Sequence, residues 1–140
     1  MIREYSTNDL EPVVTMLKAM YKEVFPLAVD DTSIYRHELL KCVTDPKIVT
    51  LVDSEYKGFA MVRDDTEAMV PDMKRYNITR AYIKPEYRGS RTYLNFMNHI
   101  VDRFNHGDIM GMTDAKSNHI PILQKRQELV AMVFKYKKGE

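Results

Sequence analysis

A strand–helix–strand pattern between residues 77 and 113 constrains the possible folds most strongly. Residues 77–83 are rich in β-branched and aromatic side chains, as are residues 108–113 in part, whereas apolar residues in 92–105 recur at intervals of three and four. Two strands joined through a helix pair in parallel by a right-handed crossover. The pattern therefore predicts two parallel neighbours within one sheet.

The rest of the chain favours antiparallel pairing. The patterns predict, in chain order, a strand at 2–5, a helix at 10–24 that stops before Pro26, a shorter helix at 34–43, a hairpin from strands 48–52 and 59–62, a long loop at 64–76, and, after the crossover unit, a helix at 118–127 and a strand at 129–136. This order predicts an α/β (α+β) fold with a mixed, mostly antiparallel sheet and helices on both faces.

Composition narrows the class of protein. A length of 140 residues predicts a single domain over 1–140. The formal net charge of +1 argues against a dedicated nucleic-acid binder, which usually has an excess of basic residues. The single cysteine, Cys42, cannot form an intrachain disulfide and is expected to be a small buried residue. With no apolar run near the ~20 residues of a membrane span and no signal-peptide pattern, we expect a cytoplasmic protein that does not bind membranes.

The segment from Tyr82 to Thr92 has the features of an anion site. A strand ends there, the chain turns, and a helix begins whose first amides lack intrahelical partners and carry the positive end of the helix dipole. Arg88 and Arg91 add charge suited to phosphate oxygens, and Gly89 permits close approach of the backbone to a ligand. From the residues alone, an ordinary strand–helix turn with two solvated arginines remains the alternative.

This segment also resembles a known motif. The sequence Pro-Glu-Tyr-Arg-Gly-Ser at 85–90 is similar to the acetyl-coenzyme A pyrophosphate loop of the GCN5-related N-acetyltransferase (GNAT) superfamily. The resemblance extends to the opening residues 2–10 and to the strand at 108–113 followed by Asn118-His119-Ile120. Short phage-encoded members are the most similar in character. The resemblance implies transfer of an acetyl group from acetyl-CoA to an amine of a small molecule or protein, and it is compatible with a homodimer.

The resemblance also implies roles for individual residues. The backbone near Tyr82 and Ile83 would bind the pantetheine arm, and one of these strand amides would polarise the thioester carbonyl. Asn118 would contact the pantetheine arm. For the acid that protonates the departing thiolate, His119 is the candidate, because a histidine side chain ordinarily has a pKa close to neutrality, and water is the alternative. The pyrophosphate would lie on the turn and the first helical residues, which are Arg88, Gly89, Ser90, Arg91, Thr92 and Tyr93. No metal site is predicted.

Departures from the family pattern leave two other functions open. Arg91 and Tyr93 stand where the family has glycine or another small residue, and no tyrosine lies in the late helix, where many relatives carry the acid. We expect Tyr93 to pack inward with Met97, Ile100 and Phe104; if it filled the cofactor cleft instead, the chain would be a catalytically inactive domain with an interaction or virion-structural role. The third reading, an enzyme acting on a nucleobase, is disfavoured by the balanced charge.

Overall fold

A computed structural model of the chain describes residues 1–111. Their regular elements are β1 (Ile2–Glu4), α1 (Leu10–Val24), α2 (Thr32–Thr44), β2 (Ile48–Asp53), β3 (Gly58–Asp64), β4 (Arg75–Ile83), α3 (Thr92–Arg103) and β5 (Asp108–Gly111), with short 3-10 turns at Thr7–Asp9 and Pro85–Tyr87. All the elements predicted before residue 112 are therefore present, with boundaries that differ by a few residues. The predicted helix at 118–127 and strand at 129–136 lie outside the described residues.

The strands form one five-stranded sheet in the order β1-β2-β3-β4-β5. The first three pairings are antiparallel, and β4 pairs with β5 in parallel. This arrangement confirms both the predicted crossover unit and the mixed, mostly antiparallel sheet.

The two faces of the sheet carry separate hydrophobic cores. The amphipathic helix α1 buries Val13, Val14 and Leu17 completely, and together with α2 it covers one face of the sheet. Helix α3 covers the other face with Phe96, Ile100 and Phe104. Helices therefore lie on both faces, as predicted, and burial of this apolar surface is the main force that holds the layers together.

A bulge in β4 reverses the direction of its side chains partway along the strand. Arg80 lies opposite Met61, but Ile78 lies opposite Val62, so that Thr79 is an extra residue in β4. As a consequence Ile78 packs in the core under α3, whereas Arg80, two residues later, points to the α1–α2 face. Because of the bulge, residues at the same alternate positions point to the α3 face before Thr79 and to the α1–α2 face after it.

The predicted inward packing of Tyr93 is wrong. Tyr93 keeps 43% of its surface exposed, and the side of α3 that faces the core is formed by Thr92, Phe96 and Ile100. The buried stripe shares Ile100 and Phe104 with the predicted one, but it begins with Thr92 and Phe96 in place of Tyr93 and Met97. Its mean direction is therefore rotated by roughly 50° from the predicted one. The helix also ends at Arg103 rather than at 105.

His99 and His106 are separated by the end of α3. His99 lies within the helix, whereas His106 follows it and contacts the Tyr76 hydroxyl through Nε2 at 2.6 Å. Within residues 1–111 no three His, Cys, Asp or Glu side chains are placed to hold a metal ion. None of the helices described is both long and apolar enough to cross a membrane.

Candidate functional site

Near its C-terminal end, β4 has peptide groups that point away from its neighbour β3. The amide of Lys84 donates to the Lys57 carbonyl at 2.9 Å, so residue 84 faces β3. Peptide groups alternate in direction along a strand, so those of Ala81 and Ile83 face the opposite edge. The described part of β5 pairs only with residues 75–78. Among residues 1–111, the edge beyond Ile78 therefore has amide donors that the sheet does not use.

Tyr82 is placed differently from its predicted role. Its carbonyl faces β3, where an added Cβ on Gly58 would come within 2.4 Å of it. Its side chain is 8% exposed and packs beside Phe59 with ring centroids 6.4 Å apart. Burial raises the pKa of the Tyr82 phenol. Of the two strand residues assigned to the pantetheine arm, Ile83 thus faces the free edge and Tyr82 supports the strand from the core.

The turn after β4 is shaped by Gly89 and Ser90. Gly89 has φ +83°, a left-handed conformation that glycine adopts without steric cost. The Ser90 hydroxyl contacts the Tyr87 carbonyl and accepts from the Thr92 amide at 3.3 Å, which caps the start of α3. Within the described residues, the next two amides, those of Tyr93 and Leu94, have no hydrogen-bond partner. They lie at the positive end of the α3 dipole, where an anion is stabilised.

Arg88 makes contacts that the sequence did not predict. Its guanidinium donates to both carboxylate oxygens of Glu23 at 2.6 and 2.7 Å, and its Nε donates to the Ile83 carbonyl at 2.9 Å. The same guanidinium lies 5.5 Å from the centre of the Tyr82 ring. The hydrogen bonds from Arg88 lower the pKa of the Glu23 carboxyl. Arg88 therefore ties the turn to the last residues of α1.

The other residues predicted to bind the pyrophosphate differ in their exposure. Arg91 occupies the N-cap position of α3 with an exposed side chain, whereas Thr92 is buried beneath it. Tyr93 is half-exposed, and its partial burial raises the pKa of its phenol. The described residues give Arg91 no ion-pair partner. Asn118 and His119 lie outside the described residues.

A cavity of about 500 Å³ lies on the α1–α2 face of the sheet. It is lined by residues of α1, of the connecting segment and of α2, namely Tyr21, Phe25, Ala28, Val29, Ile34, Tyr35, His37 and Glu38. Arg80 joins this cavity to β4, because its Nη2 donates to the Tyr21 hydroxyl at 3.3 Å and to Glu38 Oε1 at 3.0 Å. Sequence reasoning missed the cavity, since its residues read as the ordinary faces of two separate helices.

Asp64 and Asp65, where β3 passes into the loop that leads to β4, use their carboxylates in local hydrogen bonds. Asp64 accepts from the Thr66 amide at 2.9 Å. Asp65 binds Arg63 Nε at 2.6 Å and the Asn77 side-chain amide at 2.6 Å. These hydrogen bonds lower the pKa of both carboxyl groups. Asp65 thus holds the loop against the two strands that flank it, whereas Asp64 forms a turn within the loop.

Buried Cys42 has the role of a small core residue that the sequence predicted. It is 6% exposed, and desolvation raises the pKa of its thiol. Arg80 Nη1 lies 3.4 Å from its sulfur. A buried thiol with a raised pKa is a poor nucleophile, so nothing here points to covalent chemistry at Cys42.

Comparison with solved structures identifies the fold. A possible acetyltransferase from Clostridium difficile 630 superimposes with a TM-score of 0.73 at 15% identity, covering 100% of this chain and 98% of that one. Aminoglycoside antibiotic 6'-N-acetyltransferase AAC(6')-Ih from Acinetobacter baumannii gives 0.69 at 15% identity, with 100% and 98% covered. A predicted acetyltransferase with acetyl-CoA from Clostridium acetobutylicum gives 0.70 at 12% identity, with 98% and 95% covered.

Neither a protein-family model nor a curated protein sequence matches the chain. The structural similarity spans essentially the full length of each protein compared. Identities of 12–15% establish a shared fold and leave the activity of this chain to be argued from its own residues.

Proposed function

We propose that this chain, which has the GNAT fold, is an N-acetyltransferase that moves the acetyl group of acetyl-CoA to an amine of a small molecule or protein. The observation that carries the proposal is the edge of β4 beyond Ile78, with which no strand within residues 1–111 pairs. There the peptides of Ala81 and Ile83 face away from β3 shortly before the Gly89 turn. Strand, turn and helix N-terminus are then in the order that a pantetheine arm followed by a pyrophosphate requires. The proposal treats residues 1–140 as one cytoplasmic domain.

The donor would bind along this edge. The pantetheine arm would pair with the peptide of Ala81 and with the Ile83 amide as an added strand does, since the Ile83 carbonyl already accepts from Arg88 Nε. The pyrophosphate would accept from the amides of Tyr93 and Leu94 at the start of α3. Arg91, which is exposed beside these amides, supplies a charge for a phosphate oxygen, so the arginine that replaces a small family residue is assigned to binding.

The reaction needs no covalent enzyme intermediate. The neutral amine attacks the thioester carbonyl and the new N–C bond forms. The C–S bond then breaks, the nitrogen loses its extra proton to solvent, and the thiolate of CoA takes up a proton. An edge amide of β4 would donate to the carbonyl oxygen, where negative charge develops. Most of the remaining acceleration would come from holding the two reactants together. We retain His119 as the proposed proton donor and Asn118 as a contact of the pantetheine arm.

A non-catalytic interaction domain is the second candidate. The observation that favours it is the Arg88–Glu23 pair, which occupies one of the two arginines expected to bind phosphate. In that reading the pair is a permanent structural tie between the turn and α1. The chain would then bind acetyl-CoA weakly or not at all.

An assay of acetyl transfer distinguishes the two candidates. The full chain is incubated with acetyl-CoA and a panel of amines, release of the CoA thiol is followed by absorbance, and the acetylated product is identified by mass spectrometry. Arg91→Glu places a negative charge beside the pyrophosphate and is expected to raise the KM for acetyl-CoA at least ten-fold. Arg75→Glu, the same change at the other end of β4, is the control and should leave that KM unaltered. Thiol release at the uncatalysed rate with every amine would refute the proposed function.

A further inference from the structure

We propose that the cavity on the α1–α2 face holds the acceptor, and that the acceptor is a primary amine with an aryl or apolar alkyl body rather than a polyamine or aminosugar. This inference rests on the proposed function, because it assigns the substrate class of that reaction. It follows from three independent properties of the cavity: its lining, its position relative to β4, and the charge around it.

The lining is mainly aromatic and aliphatic. Tyr21 lies between two other rings, with centroids 6.1 Å from Phe25 and 5.8 Å from Tyr35. Phe25 and Val29 remain 56% and 50% exposed although both line the cavity. A contiguous exposed apolar surface in a concave site is typical of a place where an apolar ligand binds.

The wall of the cavity is held in place by hydrogen bonds. The Tyr35 hydroxyl donates to the Val29 carbonyl at 2.6 Å, which fastens the segment between the helices to α2. The amide of Ala28 donates to the Phe25 carbonyl at 2.9 Å and forms a turn within the same segment. The apolar surface is therefore a formed wall of the site, so a ligand would not have to order it on binding.

The cavity lies next to the proposed reaction edge. Arg80 touches two of the lining residues, Tyr21 and Glu38, and is the residue immediately before Ala81. The bulge at Thr79 turns the Arg80 side chain toward this face, so this side chain reaches from the backbone beside Ala81 to two residues that line the cavity. An amine with its apolar body in the cavity can therefore extend toward a thioester carbonyl held at that peptide.

The charges around the cavity do not favour a polycation. Among the described residues that line it, Glu38 is the one carboxylate, and it is paired with Arg80 at 3.0 Å. The nearby carboxylate of Asp30 is paired with Lys22. Sites that collect multiply charged amines need surplus negative charge, which these pairs remove. A monoamine, by contrast, binds through its apolar body and attacks in its neutral form.

Binding and turnover of matched amines test this assignment. The probes are 2-phenylethylamine, ethylamine, which lacks the aryl body, and spermidine, which replaces it with charge. Saturation-transfer NMR on the full chain measures binding without requiring catalysis, and kcat/KM is measured by thiol release at saturating acetyl-CoA. We expect 2-phenylethylamine to bind, and its kcat/KM to exceed that of either other amine by at least ten-fold.

Two variants and one control locate the binding. Phe25→Ala removes part of an aromatic wall and should weaken 2-phenylethylamine binding about five- to ten-fold. Ala28→Phe fills the cavity and should abolish binding. Leu27→Ala changes a neighbouring residue that is 98% exposed and does not line the cavity, so it should have no effect.

The outcomes separate this inference from the proposed function. Efficient acetylation of spermidine with no binding of 2-phenylethylamine would overturn the assigned substrate class and leave the acetyltransferase intact. Equal effects of Phe25→Ala and Leu27→Ala would also overturn it. Binding of 2-phenylethylamine that Ala28→Phe abolishes, in a protein that transfers no acetyl group, would support the cavity as an amine site while refuting the proposed reaction.

Discussion

If the Arg88–Glu23 ion pair opens when acetyl-CoA binds, substitutions of its two partners should change the affinity for acetyl-CoA in opposite directions. Arg88 donates to Glu23 at 2.6 and 2.7 Å, yet it lies on the turn proposed to receive pyrophosphate. If Arg88 leaves Glu23 to bind phosphate, Glu23 competes with the donor. Glu23→Gln should therefore tighten acetyl-CoA binding, and Arg88→Ala should weaken it.

The exposure and geometry of the pair set the magnitudes. Arg88 and Glu23 are 43% and 45% exposed, so solvent screening limits their attraction to at most about 1 kcal/mol even with two-pronged geometry. Glu23→Gln is then expected to tighten binding by up to about five-fold. A charge-assisted phosphate contact contributes roughly 1.5–3 kcal/mol. After subtracting the lost Glu23 pair, Arg88→Ala should cost about 1–2 kcal/mol, or roughly five- to thirty-fold in affinity.

Calorimetric titration of acetyl-CoA into wild type, both single variants and the double variant measures these effects. In the double variant Glu23→Gln should change nothing further, because no arginine remains to be released. Both effects should shrink as salt is raised. If Glu23→Gln weakens binding, or if the two substitutions act additively, Arg88 does not exchange partners and the pair is a structural tie.

The remaining predictions concern the backbone and the buried ion pair that support the site. Gly89→Ala should lower the free energy of unfolding by about 1–2 kcal/mol, since the φ of +83° alone opposes a side chain while the space around it is open. Gly58→Ala should cost more, about 1–3 kcal/mol by thermal unfolding, and should slow turnover as well, because its Cβ would meet the Tyr82 carbonyl at 2.4 Å. Asp9 accepts from Arg3 at 2.7 and 2.8 Å, and this hydrogen bonding lowers the pKa of its carboxyl. The ionised Asp9 carboxylate should therefore stabilise the fold fully above its unfolded-state pKa of about 4, and this stabilisation should be lost as pH falls below that value. The Asp9→Asn variant should be about 2–3 kcal/mol less stable at pH 7. In denaturant titrations it should lack the acid-dependent loss of stability.

Local patterns were sufficient to predict the helices and strands up to residue 111. A helix or strand that is buried on one side has apolar residues at a regular spacing, and this spacing is visible in the sequence. They failed on the orientation of α3. Tyr93 and Phe96 are both aromatic and both begin a plausible apolar stripe, and the buried stripe starts with Thr92, a polar residue that the hydrophobic pattern does not include. Which stripe faces the sheet is decided by packing against β-strands far away in sequence.

Parts of the candidate site had no local signal at all. Glu23 and Arg88 are 65 residues apart, and nothing near either residue marks the other as its partner. The bulge at Thr79 has no distinguishing residue, yet it places Arg80 beside the cavity. By contrast, Gly89 was identified in advance, because a glycine between a strand and a helix has a specific conformational meaning.

The most direct test of the account is an NMR titration of the amide protons with acetyl-CoA, using the full chain. Saturable binding is expected below about 1 mM. The amides of Ala81, Ile83, Tyr93 and Leu94 should change shift and become protected from exchange, whereas the amide of Tyr82, which faces β3, serves as an internal control and should change little. The absence of saturation at millimolar acetyl-CoA, or saturation with these four amides unaffected, would contradict the claim that the β4 edge and the α3 N-terminus form the donor site.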